Sequence, residues 1–140
     1  MIRKKYNLKI TTTQKVLNEE PEQFELLTEA EFARLKDGSF AITYDDSVAT
    51  GLKGKSTITC FGCERATVTR EGDAPSELIL EAGKTHHCQY ATPYGSVIIS
   101  VTTSLIDNML AEDGGSLRFK YAIDANAGGL METEVHAQLY

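Results

Sequence analysis

The sequence predicts an all-β protein: one domain spanning residues 1–140, built as an antiparallel up-and-down β-barrel of eight to ten strands. Three observations carry this expectation. Apolar residues recur at every second position along most of the chain, glycine-bearing turns separate these runs, and the connections are too short for the crossovers that parallel neighbours need. A sheet of this many strands curls, and closing it removes the unpaired edges that would otherwise recruit further strands.

Tyr6, Leu8 and Ile10 open the pattern, followed by Phe40, Ile42 and Tyr44, then Ile58 and Cys60, Ala66 and Val68, and Leu78 and Leu80. Residues 97–106 are apolar with Thr and Ser interleaved, which fits a more deeply covered strand. The clearest alternation runs over 117–126, where Leu117, Phe119, Tyr121, Ile123 and Ala125 share one face; Met131, Thr133, Val135, Ala137 and Leu139 close the series. Turn formers stand between the runs at Asp37-Gly38, Gly62, Gly72, Gly83, Gly114-Gly115 and Gly128-Gly129.

One segment carries two conflicting signals. Residues 18–38, NEEPEQFELLTEAEFARLKDG, have a proline near the start, strong helix formers throughout and glycine at the end, so local propensity reads them as a helix. Yet Phe24, Leu26, Thr28, Ala30 and Phe32 alternate, and Asp37-Gly38 leads into the next strand as a hairpin turn would.

Composition narrows the function classes. Fourteen Lys and Arg against twenty Asp and Glu give a net charge of -6, the wrong sign for nucleic acid or an anionic lipid surface. The basic start lacks the apolar run of a secretory signal, and the apolar stretches are too short to cross a bilayer as a helix. Three cysteines cannot all pair within one chain, which with the missing signal points to a reducing, cytoplasmic setting.

CFGC at 60–63 and KTHHC at 84–88 bring Cys60, Cys63, His86, His87 and Cys88 close in sequence, with ligand types suited to zinc. A second C-x-x-C at zinc spacing is absent, and a meander would run the strand at 76–82 between the two groups. Neither a metal nor another cofactor is therefore expected, and Cys60 and Cys88 read as small apolar fillers. No nucleophile elbow or phosphate-binding loop is present, so nothing positive marks an enzyme. His136 falls on a polar face.

Parity marks a more informative set. Tyr44, Arg70, His86 and Tyr90 share the side of their strands occupied by Ile42, Val68, Cys88 and Leu80, so four polar-tipped side chains are aimed at the core. Buried polar groups must find partners in one another, in water or in a ligand. TPYG at 92–95 reads as a corner between strands, with Tyr94 placed at the barrel mouth.

The run KTHHCQYATPYG, then EDGG at 112–115 and LRFKYAI, together with ELLTEAEF, DGSFAITYDDS and TGLKG in that order, resembles the YwiB-like family of small bacterial proteins, a family of unknown function. The resemblance covers nearly the whole chain and implies a calycin-type, lipocalin-like barrel. It also implies that residues 23–36 form a strand. His86, Thr92, Pro93, Tyr94 and Gly95 match the family pattern, whereas Cys60, Cys63 and His87 depart from it. The resulting expectation is a barrel that binds a small, partly apolar ligand through Tyr44, Arg70, His86, Tyr90 and Tyr94. The alternative is a solid-core barrel acting through its surface or a homodimer interface.

Overall fold

The computed structural model describes residues 3–16, 18–45, 54–73, 75–92, 95–124 and 130–140. Ten strands follow in order: β1 (Arg3–Val16), β2 (Glu22–Arg34), β3 (Phe40–Asp45), β4 (Gly54–Phe61), β5 (Arg65–Gly72), β6 (Ser76–Glu81), β7 (Thr85–Thr92), β8 (Gly95–Ala111), β9 (Gly114–Asp124) and β10 (Leu130–Leu139). Each pairs antiparallel with the next, and β10 returns to β1, closing the barrel. This is the all-β, calycin-like up-and-down barrel that the alternation and the resemblance imply. No helix of the described residues is long and apolar enough to cross a membrane.

The strand that the resemblance implies for 23–36 is formed, against the helical propensity of 18–38. Glu22–Arg34 is a strand, registered from Gln14↔Glu22 to Arg3↔Ala33 along β1 and from Ala30↔Tyr44 to Arg34↔Phe40 along β3. Its apolar residues repeat at period two, so a helix would scatter around its circumference what the strand buries on one face. Ala30 and Phe32 are buried, while Leu27 on the opposite face is exposed. Packing on both neighbouring strands outweighs a propensity that counts no neighbours.

Inward-facing Leu8, Ile42, Ile58, Leu80, Val101, Leu117 and Phe119 are almost fully buried and form the core. Tyr6, Phe32 and Phe40 pack as an aromatic group, edge-to-face at 5.6 Å and stacked at 5.3 Å, at the end where odd-numbered strands begin and even-numbered ones finish.

Two irregularities shape the interior. In β8 the register slips between Thr103 and Leu105, and the bulge lets both Thr103 and Ile106 face inward, which strict alternation forbids. Between β6 and β7 one registered pair, Ser76↔Tyr90, is formed among the described residues. Along this seam the Ile79 N–H donates to Cys88 Sγ at 3.4 Å, and the β6–β7 turn reaches β8 instead, with Gly83 N–H donating to the Thr103 carbonyl at 2.8 Å. Side chains and the turn thus replace part of the backbone ladder.

A polar row on the inner face

The registers join Tyr44 to Ser56, Ser56 to Arg70, Arg70 to Ser76, and Ser76 to Tyr90, so five polar residues form one row across β3 to β7. Each shares its face with an apolar residue two positions away, Ile42, Ile58, Val68, Leu78 and Cys88, all of them in or packed against the core. Glycine makes room for the arginine: a Cβ on Gly54 would lie 2.9 Å from Arg70 Nη2 and press on the Glu71 carbonyl. The Arg70 guanidinium therefore lies over Gly54, diagonal to its partner Ser56.

A second row crosses the other side of the barrel, where Tyr121 pairs with Thr103 of β8 and Thr133 of β10. Thr103 is 1% and Thr133 3% exposed, and among the described residues neither hydroxyl makes a well-formed hydrogen bond, although the Tyr121 phenol approaches Thr133. Tyr121 joins the two rows. Burial first, then the phenols of Tyr90 and Tyr44, push its hydroxyl up to about 12, so these three tyrosines share one neighbourhood.

That shift predicts alkaline sensitivity. An unfolded tyrosine titrates near 10.0, so between pH 10 and about 12 the unfolded chain has released a proton that the folded state still holds, and stability falls as pH rises. The full shift corresponds to about 2–3 kcal/mol. Buried Cys60, raised from 9.0 to about 12 by burial and then by Cys63, acts in the same direction. The urea midpoint is expected to drop from pH 9 to pH 12, and Tyr121→Phe to remove part of that drop. Equal drops in both proteins would assign it to other groups.

Of the residues singled out from sequence, the structure brings Tyr44, Arg70 and Tyr90 together. His86 stands apart, four residues back along β7 in register with Val101 of β8, and its Nε2 lies 2.9 Å from Glu81 Oε1. Lys84, at 2.9 Å, and then His86 hold the Glu81 carboxyl below the usual carboxylate range. Tyr94 and Pro93 lie outside the described residues; Thr92 and Gly95 on either side pair with each other. The C-x-x-C element is divided, with Cys60 buried and donating to the Gly62 carbonyl at 3.3 Å while Cys63 is exposed. His87 turns outward to Ser100 Oγ at 3.1 Å. His136, on the outer face opposite Thr11 and Arg118, is half-buried. Among the described residues no three of His, Cys, Asp and Glu converge as a metal site.

Sequence reasoning missed Ser56, Ser76, Thr103, Tyr121 and Thr133 as members of the site. Tyr121 and Thr133 were visible in their alternating runs but counted there as core positions. The inward orientation of Thr103 next to Ile106 depends on the β8 bulge, which no local signal announces.

Two pockets are bounded by described residues. One of about 490 Å³ is lined by Thr13, Lys15, Thr102, Lys120 and Glu132 together with Tyr121 and Thr133 of the second row; one of about 310 Å³ is lined by Lys5, Glu29, Asp45 and Lys55 together with Ala30 and Tyr44. Both are lined by mixed charge.

No curated protein matches the chain. Among solved structures, the crystal structure of the ywiB protein from Bacillus subtilis superposes with a TM-score of 0.76, covering 99% of this chain and 93% of that one at 17% identity. At that identity the likeness speaks for the fold. A family model described as Domain of unknown function (DUF1934) matches residues 8–136, from within β1 to within β10. The closed ten-stranded barrel with its inner polar rows therefore belongs to the DUF1934 family.

Proposed function

We propose that the protein binds a small, partly apolar molecule inside its barrel, against Tyr121, Thr103 and Thr133 and beside the row of Tyr44, Arg70 and Tyr90. Of the other contacts expected from the sequence, His86 stands apart beside Glu81 and Tyr94 lies outside the described residues. The observation that supports this most is the pair of buried threonine hydroxyls without a well-formed hydrogen bond. Leaving such a group unpaired costs about 1–3 kcal/mol, and a ligand that supplies a partner recovers it. Barrels of this size admit one small molecule when the core does not fill them. A reducing compartment suits the three free thiols, of which Cys63 is exposed.

Native mass spectrometry of protein purified from cells is expected to show a mass above that of the bare chain, lost on denaturation. A bare-chain mass, combined with no thermal shift across a small-molecule panel, would reject the reading. The second reading, a solid-core barrel acting through its surface, draws on the fully buried Leu80, Leu117 and Phe119 that occupy part of the interior. A concentration-independent homodimer in sedimentation together with the bare mass would favour it.

A further inference from the structure

The ends of the barrel differ. Val16, Phe24, Tyr90 and Val97 continue the inward-facing series of Ile10, Leu26, Cys88 and Ile99, yet they are 37%, 52%, 41% and 44% exposed. All four sit where odd-numbered strands finish and even-numbered ones begin, the end opposite the Tyr6–Phe32–Phe40 group. Side chains directed inward but reached by solvent line an open mouth, apolar along β1, β2 and the start of β8, with Ser56, Arg70 and Ser76 at the same end on β4, β5 and β6. Farther along the same inner face lie the buried Thr103 and Thr133 hydroxyls, flanking Tyr121.

Resting on the binding reading above, we infer that the ligand is an uncharged single-chain amphiphile. Its hydroxyl or carbonyl head meets Thr103 and Thr133, and its apolar chain leads to the mouth at Val16, Phe24 and Val97. A hydroxyl head both donates and accepts, matching two threonine hydroxyls that can do the same. The row Thr103–Tyr121–Thr133 contains no cation, and its continuation on β1 is Gln14, so a carboxylate head seated there would be desolvated without a counter-charge. Arg70 offers the competing arrangement, an anionic head held at the other row, and the test separates the two.

The probes are decan-1-ol and decanoate at pH 8, titrated below their aggregation limits and followed by thermal shift and calorimetry. Decan-1-ol is expected to bind at least about tenfold more tightly than decanoate. Thr103→Val and Thr133→Val are near-isosteric and each removes a hydroxyl without a well-formed hydrogen bond, so the ligand-free variants should melt no lower than the parent. Each should weaken decan-1-ol binding about tenfold. Tighter binding of decanoate, lost in Arg70→Gln, would overturn the uncharged head while leaving the barrel a binding protein. Unchanged decan-1-ol affinity in both threonine variants would also overturn it. Binding of neither probe, with a bare-chain mass, would overturn this inference and the binding reading together.

Discussion

Replacing Phe119 by alanine is expected to lower the unfolding free energy by about 3–5 kcal/mol, a large share of the 5–15 kcal/mol typical of a domain. Phe119 is 1% exposed, heads the series of fully buried side chains by size, and sits in register with Ile106 and Val135, both buried. Removing the ring forfeits its transfer energy and leaves a cavity that strands fixed on both sides cannot collapse to fill. Its ring centroid is 6.0 Å from that of Tyr121, so the same change also takes support from the residue that joins the two polar rows. Phe61→Ala is the matched control: this ring lies at the β4–β5 turn, 38% exposed, with Arg65 over its face at 5.9 Å. There the expected loss is about 1 kcal/mol. Urea unfolding of both variants tests the contrast, and equal losses would contradict the core described here.

Gly115→Ala is expected to cost about 3 kcal/mol or more, with backbone geometry as the cause. Gly115 follows the Glu112-Asp113 turn with φ +119 and is registered with both Leu110 and Leu139, so both neighbouring strands hold it. A side chain there adopts a strained conformation, and its Cβ would be driven into the Met109 carbonyl, a backbone group that cannot swing aside. Gly38→Ala isolates the conformational part, because φ is +88 but nothing lies within 4 Å of the added carbon; about 1 kcal/mol is expected. If the two variants unfold at the same urea concentration, the steric share assigned to Gly115 is wrong.

Much of this fold was legible in alternation. The runs at Tyr6–Ile10, Phe40–Tyr44 and Leu117–Ile123 all became strands with the predicted faces inward, because a period of two is a property of the strand itself and needs no partner to be seen. The same rule placed Tyr44, Arg70 and Tyr90 on the inner face. It could not separate His86 from them, since parity gives the face of a strand but not the position along it. Nor could it follow β8 past the bulge, where one extra residue reverses the parity and brings Ile106 inward after Thr103.

By itself, then, the sequence determined an antiparallel barrel and the side of each regular strand that faces inward, since hydrophobic period and turn chemistry are local quantities. Only the tertiary structure decided that Tyr44, Ser56, Arg70, Ser76 and Tyr90 form one row, and that Tyr121 lies between two buried hydroxyls. Those outcomes depend on register between strands distant in the chain. Register is set by the simultaneous packing of all ten strands around one core, an energy to which no short segment contributes alone.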